Sequence, residues 1–573
     1  MAGLSMKRFK PGFAKPFGAP RSRRSAQGVG ERTGRGRIGI AILCFVFVYA
    51  AMGTRLVQYG MTDTAQASRY QSTDATLAAR PDLLDRNGKL LAKDIRVSSL
   101  FGEPKRIIDA DEAVEALASV LPDVDYAEWH RKLSSGAGFV WLRREINPDQ
   151  QAAVMNLGIP GIGFRRETRR FYPGGPLASH IVGLVNIDNA GTAGIEKFVD
   201  DEGVGALQSL GLDATADLEP VNLSIDAGVQ FIVRDELVQA MDRYQAIAAG
   251  AVVLNAKTGE VVSMVSLPDY DPNDPFNALD KDRLNRMSAG VFEMGSTFKA
   301  FTTAMALDSG KVNMNSSFDA RRPIRFGRFT INDFHGKGRV LSVPEIFIYS
   351  SNIGTAKMAD VVGIEGHREF IKRLGLLDPM DTQLPEVARP TEPREWKKLN
   401  SITISFGHGM STTPLQTAVA AASLMNGGLL IPPSFLPRTQ EQALQIAKPV
   451  VSPRTSANMR YLFRLNVERG SGRRADVPGF FVGGKTGTAE KVKNGRYSSN
   501  HRFNAFLSAF PMHDPQYVVL VIIDEPKPAE GQRSATAGLN AAPTVGNIIR
   551  RTAGLLGVMP DFEVGRDSLL VAQ

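Results

Sequence analysis

The sequence is nearly without cysteine. Its only one, Cys44, sits inside an apolar stretch, so the remainder of the chain carries no disulfide framework and no thiol catalyst. It is also poor in clustered metal ligands. The seven histidines (130, 180, 335, 367, 408, 501 and 513) are scattered, and no His-Glu-x-x-His or Cys/His cluster occurs, which argues against a metal site and leaves no cofactor to expect. No internal repeat is visible. Nor is there a distributed basic excess of the kind that would suggest nucleic-acid binding. The net charge of +9 is confined to residues 1–37, which hold ten Lys or Arg and one acid, Glu31; beyond them 58 basic residues face 58 acidic ones. Long apolar runs are missing too, with one exception.

That exception is 38–59, IGIAILCFVFVYAAMGTRLVQY, whose single charge is Arg55 near the far end. As a helix it would span about 33 Å, the thickness of a bilayer's hydrocarbon core. A basic tail ahead of one apolar helix predicts a cytoplasmic N-terminus, a single-pass anchor in the cytoplasmic membrane, and the bulk of the chain outside. Ala65-Gln66-Ala67 offers a competing reading as a signal-peptide cleavage site. The apolar run exceeds an h-region, however, and the Ala-x-Ala lies well past its end, so a retained anchor is the better expectation.

What the chain does have is 573 residues with ordinary globular composition, 43% hydrophobic and 22% charged, enough for two or three packed domains. Residues 1–37 read as a disordered basic tail. From 60 to 220, short strand-like runs mix with helical stretches such as 111–121, punctuated by Asp85-Arg86-Asn87-Gly88 and Tyr172-Pro173-Gly174-Gly175-Pro176. From 221 the texture changes. A helix is expected over 228–241, an antiparallel hairpin over 251–266, mostly helix from 296 to 375, core helix over 415–426, strands at 480–490, 503–511 and 517–524, and a closing helix at 543–556. Strands at both ends with helices between predict an α+β domain, an antiparallel sheet covered by helices.

Three short patterns carry chemistry: Ser296-Thr297-Phe298-Lys299, then Ser350-Ser351-Asn352 54 positions after Ser296, then Lys485-Thr486-Gly487-Thr488 135 positions further. A serine hydroxyl needs a neighbouring base to become a nucleophile. Positions i and i+3 share a helix face, which puts the Lys299 amine beside Ser296. Burial and a second cation, for which Lys485 is the candidate, would lower the lysine pKa enough for it to act as that base. Ser350 would relay protons and Asn352 would contact substrate. Gly483, Gly484 and Gly487 would let a strand edge approach an extended peptide, and the backbone N–H groups of Ser296 and Thr488 would form an oxyanion hole. A second Lys-Thr-Gly, Lys257-Thr258-Gly259, falls at the tip of the predicted 251–266 hairpin and is assigned only a turn role.

The ordered set Ser-x-x-Lys, Ser-x-Asn, Lys-Thr-Gly resembles that of penicillin-recognising serine enzymes. The surrounding segments are similar to the class B penicillin-binding proteins: LSIDAGVQ at 223–230, VFEMGSTFK at 291–299, YSSNIG at 349–354, SFGHGMSTTPLQ at 405–416 and GGKTGTAEK at 483–491, preceded by RPDLLDRNGKLLA at 80–92, RRFYPGGPLASHIVG at 169–183 and GTAGIEKF at 191–198. The resemblance covers roughly 38–556. Phe292-Glu293, with GTAEKVKNGRY and FNAFLSAFP, favours the cell-division, FtsI-type members over the elongation enzymes. Two positions depart from the pattern: Met294 stands where the family usually has Pro, and Pro81 where it usually has Gly.

The resemblance implies a pedestal (dimerisation-type) domain over 60–220, a transpeptidase domain over 221–556 and a C-terminal tail over 557–573. It implies that Ser296 attacks the penultimate D-Ala carbonyl of a peptidoglycan stem peptide, releases the terminal D-Ala, and passes the acyl group to an amine on a neighbouring strand. Lys485 and Thr488, or Thr486 in its place, would hold the substrate carboxylate, which β-lactam antibiotics mimic, and Thr486, Gly487 and Thr488 make up the implied substrate-binding set. An FtsW-type glycan polymerase and other divisome proteins at the septum are the implied partners. No Glu-x-x-Leu-Asn pattern of the kind that deacylates β-lactams lies between Asn352 and Lys485, which weakens a β-lactam-hydrolysing or β-lactam-sensing alternative. Arg80, Asp85, Arg86, Asn87, Arg170, Tyr172, His180 and Glu196 read as polar turn and interdomain contacts, with transmission of a partner signal as the weaker reading. His408 reads as a packing residue near the site.

Overall fold

The computed structural model describes residues 47, 49, 50, 52, 80–204, 218–327, 329–493 and 496–562. The expected tail at 1–37 lies outside these residues, as does all of the expected anchor at 38–59 except Phe47, Tyr49, Ala50 and Met52, and the C-terminal tail is described only as far as Phe562. Among the described residues no helix is long and apolar enough to cross a membrane.

The pedestal is built on a long strand, β1 (Leu90–Gly102), flanked by antiparallel partners β2 (Val140–Ile146) and β3 (Ile162–Phe171). Helices Ala110–Val120, Tyr126–Leu133 and Pro148–Leu157 close over Leu100, Leu142 and Ile146 to make a small core containing Val114, Leu117 and Trp129. The helix at 111–121 is found one residue early because Asp109 caps it, its carboxylate accepting from the N–H groups of Asp111 and Glu112.

In the pedestal and where it meets the next domain, the polar segments at 80–87 and 169–196 make structural contacts. Leu83–Leu84 runs parallel to Val221–Asn222. The Asp85 carboxylate accepts from the Ala227 N–H at 3.0 Å, at the start of helix α1 (Ala227–Tyr244). Arg86 pairs with Glu260 at 3.1 Å, and Asn87 donates to Asp226. Glu196, wholly buried, takes Arg80 at 2.8 Å on one oxygen and Arg170 at 2.6 Å on the other; Arg170 also pairs with Asp94. Pro81 leaves Arg80 in place, and its carbonyl accepts from Arg170. His180 bonds the Arg283 carbonyl, and the Tyr172 N–H donates to Asn273. The Asp85, Arg86, Asn87, Tyr172 and His180 contacts reach the second domain, whereas the Arg80–Glu196–Arg170 network lies wholly within the pedestal.

The second domain is organised around a five-stranded antiparallel sheet. Strands β4 (Ala248–Asn255) and β5 (Val261–Leu267) are the predicted hairpin; β6 (Gly483–Lys493), β7 (Arg496–Phe510) and β8 (Tyr517–Asp524) return from the far end of the sequence, giving the order β6-β7-β8-β4-β5. Helices cover both faces, so β8 is apolar at nearly every position. Val518, Leu520 and Ile522 pack into one layer with α2 (Lys299–Asp308) and α4 (Pro414–Met425). Val519, Val521 and Ile523 pack into the other with α1 and α5 (Ala541–Thr552). The stretch predicted at 415–426 is α4, buried along its whole length.

Two expectations need correction. The region 296–375 is helical in large part but not throughout: between α2 and α3 (Asn352–Val362) lie the antiparallel pairs Ser317–Asp319 with Val340–Ser342 and Ile324–Phe326 with Phe329–Ile331. Pro323 and Gly327 break the helical pattern, and Ile324/Phe326 and Phe329/Ile331 alternate at the strand period. Strand β7 begins at Arg496 rather than 503, extending the hairpin with β6 through a polar stretch that carries no strong apolar alternation.

Candidate active site

Ser296 sits on a single 3-10 turn, Gly295–Phe298, that feeds directly into α2, so Lys299 follows it by one turn as the spacing requires. Met294 adopts φ −79°, within the range a proline holds, while its side chain is buried in the core. The family's proline and this methionine therefore give the same entry to the turn. β6 lies against that turn at the edge of the sheet. A Cβ on Gly487 would come within 2.5 Å of the Met294 carbonyl, so only glycine lets strand and turn touch. Behind the turn, Gly407 (φ +88°) is packed so closely that a Cβ would overlap the Gly295 carbonyl.

Ser350 caps the short helix Val343–Tyr349 in the left-handed conformation, φ +55°, an uncommon and mildly costly state for a residue with a side chain. The geometry around it explains why. The Lys299 amine donates to both the carbonyl and the hydroxyl of Ser350, the latter at 3.0 Å, and Lys485 donates to the same hydroxyl at 3.0 Å and to the Thr486 carbonyl at 3.2 Å. Both lysines are fully buried. Burial, and the like charge of Lys485, hold the Lys299 ammonium well below its ordinary pKa, with Asp333 opposing; burial lowers Lys485 to about 7.

Counting protons gives the arrangement its meaning. A neutral Lys299 amine spends both N–H groups on Ser350, leaving its lone pair for Ser296. The Ser350 hydroxyl uses its two acceptor positions on the two lysines, leaving its own proton free to donate. No hydrogen bond joins Lys299 to Ser296 in this state.

Of the eight predicted residues, Ser296, Lys299, Ser350, Asn352, Thr486 and Thr488 line one cleft of about 620 Å³. Lys485 and Gly487 lie behind its wall, Lys485 reaching Ser350 from the sheet side. Asn352 begins α3 and donates to the Asn332 carbonyl at 2.8 Å. Thr486 shares a hydrogen bond with Ser471 at 2.6 Å, and the Thr488 hydroxyl accepts from the Ala537 N–H. His408 does more than pack: its ring lies against Phe406 and Tyr497, and it also lines the cleft. Burial lowers its pKa.

Sequence reasoning missed Asp333. Its carboxylate accepts from the Ser351 hydroxyl at 2.7 Å and the Ile353 N–H at 2.9 Å, locking the Ser-x-Asn turn from a loop 17 residues upstream of Ser350. Nothing local marks it, because the contact exists only once the inserted strand pairs fold back. Ser471 was missed because its contact with Thr486 forms only once β6 packs beside it. The Lys257-Thr258-Gly259 copy sits at the β4–β5 tip, with Gly259 at φ +74° and Lys257 paired to Asp514, as its turn assignment expected.

Comparison with known proteins agrees with this geometry. Residues 249–550 match the penicillin binding protein transpeptidase domain, and residues 75–205 the penicillin-binding protein dimerisation domain. The chain is 41% identical over 503 residues to the probable peptidoglycan D,D-transpeptidase FtsI of Caulobacter vibrioides, covering 85% of this chain and 83% of that one. It is 33% identical over 555 residues to the probable peptidoglycan D,D-transpeptidase PenA of Neisseria gonorrhoeae (92% and 94% covered), and 30% identical to stage V sporulation protein D of Bacillus subtilis (93% and 88%). The crystal structure of penicillin binding protein 3 from Mycobacterium tuberculosis, complexed with aztreonam, superposes with a TM-score of 0.64 over 84% of this chain and 97% of that one at 24% identity, which shows a shared fold. With a matched transpeptidase domain, a matched dimerisation domain and relatives of this likeness along most of its length, the chain belongs to the class B penicillin-binding proteins.

Proposed function

We propose that this protein is the peptidoglycan D,D-transpeptidase of cell division, acting through a Ser296 acyl-enzyme. The observation that carries the reading is the single Ser350 hydroxyl held between two buried lysines in the cleft that contains Ser296. The stem peptide lies extended along the outer edge of β6, the terminal strand of the sheet among the described residues. Its terminal carboxylate meets the hydroxyls of Thr486 and Thr488, drawn by the Lys485 cation behind the cleft wall, and Asn352 contacts the peptide amide.

Ser296 Oγ attacks the penultimate D-Ala carbonyl while the Lys299 lone pair takes its proton. The N–H groups of Ser296 and Thr488 receive the oxyanion. Collapse of the tetrahedral intermediate breaks the peptide bond, and the Ser350 proton goes to the departing D-Ala nitrogen, Lys299 replenishing it. An amine from a second strand then attacks the ester by the reverse path, forming the cross-link and restoring Ser296. β-Lactams enter the same cycle through their carboxylate and strained amide, and stall at the ester.

The membrane anchor, septal location and FtsW-type partner belong to the same proposal. They are supported by the basic tail, the 22-residue apolar run and the likeness to FtsI of Caulobacter. Ser296→Ala should abolish labelling by fluorescent penicillin, and labelling that survives would refute the assignment. Depletion in cells should give filaments; rounding would indicate an elongation role. Intact mass of the membrane-fraction protein should show residues 38–59 retained, and a mature chain starting near Ser68 would refute the anchor.

A further inference from the structure

Beyond Thr488 the cleft continues along β6, and what lines it there has no part in the chemistry just described. Thr486, Thr488 and Glu490 are alternate residues of one strand and all three line the cleft, as the two-residue period of a strand requires. Directly across from Glu490 in the antiparallel register is Arg502 of β7, which lines the same cleft. Opposed charges at such a pair normally meet. Here, among the described residues, Glu490 and Arg502 form no ion pair with each other or with any other group, although the next residue, Lys491, is tied to both Asp524 and Glu525. The register shifts between Glu490 and Lys491, an irregularity of the kind that re-aims side chains beside active sites. Glu490 is exposed and Arg502 half-buried, each with its charged end left for something in the cleft. The other cleft-lining arginines, Arg473 and Arg474, lie with Gly470 and Ser471 on the wall next to Thr486 instead.

The spacing says which part of the substrate reaches this pair. Two residues of strand separate Glu490 from Thr488, about 6.6 Å. A peptide extended along β6 with its terminal carboxylate at Thr486 and Thr488 advances by the same step. The side chain that projects to the same face, level with Glu490, is that of the residue two before the terminal D-Ala. Cross-linking requires a stem residue with a side-chain amine. A carboxylate opposite an arginine, unpaired and side by side, complements a side chain that ends in both an ammonium and a carboxylate.

We propose that Glu490 and Arg502 form a specificity subsite for the donor peptide that selects, two residues before the terminal D-Ala, a diamino diacid over a simple diamine: Arg502 takes the side-chain carboxylate and Glu490 the ammonium. This rests on the Ser296 reading. The test uses the full chain in detergent with three pentapeptides that differ only at that residue: the diamino diacid, the same residue with its side-chain carboxyl amidated, and lysine. Release of D-Ala gives kcat and KM for each. The wild type should favour the diacid over its amide by about tenfold in kcat/KM, carried by KM, the worth of one charge-assisted contact. Arg502→Ala should bring that ratio to about one, and Arg502→Lys should restore part of it. Glu490→Gln should raise KM for all three peptides alike, since all three keep the amine. Because the ratio is taken within one preparation, it does not depend on how much of a variant folds. A wild type indifferent to amidation, or an Arg502→Ala chain that keeps the preference, would overturn the subsite while leaving the Ser296 reading standing. A wild type that penicillin does not acylate would overturn both.

Discussion

Two clusters of buried charge in this molecule are resolved in opposite ways. In the pedestal, Arg80 and Arg170 share Glu196, with Asp94 as a further counter-charge, so the network is close to neutral and well bonded. Around Ser350 two lysines are buried together with no carboxylate bonded to either among the described residues; Asp333, the acid that acts on Lys299, bonds Ser351 and Ile353 instead. The first arrangement fixes positions and resists change of protonation. The second favours the uncharged form of the Lys299 amine, which a base must adopt and a structural ion pair must not. Neutralised charge holds the pedestal segments together; unneutralised charge is poised to move protons.

The contrast can be broken at several points, and the largest effect is expected at the site. Lys299→Ala should lower the second-order rate of penicillin acylation by about 10²–10⁴-fold, the usual worth of a positioned base, with the thermal unfolding midpoint changed far less. In the pedestal the effects should reverse. Glu196→Ala leaves two guanidinium groups without their shared carboxylate and should cost about 3–5 kcal/mol in denaturant unfolding, while the acylation rate per folded molecule stays unchanged. A pH profile sharpens the comparison next. Acylation needs Lys299 neutral and Lys485 charged, so the rate should fall above about pH 7 as Lys485 loses its proton, approaching tenfold per pH unit, and should fall again at low pH as Lys299 gains one. Lys485→Arg, which does not titrate in this range, should remove the alkaline limb. The smallest effect belongs to the other Lys-Thr-Gly. Lys257→Ala breaks one exposed pair with Asp514 and should shift stability by less than about 1 kcal/mol, with acylation unaltered.

The sequence alone was enough for the residues whose spacing is itself the chemistry. Ser296 and Lys299 are three apart because a turn must join them, and Thr486 and Thr488 two apart because a strand must present both. The β4–β5 hairpin and the strand β8 were legible from turn residues and apolar density. What could not be read was whatever depends on contacts across long stretches of chain. Asp333 bracing Ser351 and Ser471 meeting Thr486 carry no local signal. The strand pairs at 317–342 were misread as helix because short, mostly polar alternation competes poorly with the strong apolar helices on either side. His408 was read as a packing residue near the site, and its ring contacts with Phe406 and Tyr497 agree; its place on the cleft wall adds to that reading.

The central claim is that Ser296 carries the acyl group while Lys299 serves it as a neutral base. Peptide mapping by mass spectrometry after a brief penicillin pulse, on the wild type and on Lys299→Ala, tests it most directly. The account predicts one adduct, on the peptide containing Ser296, formed rapidly by the wild type and at least about a hundredfold more slowly by the variant. An adduct on any other residue, or equal rates in the two proteins, would contradict it.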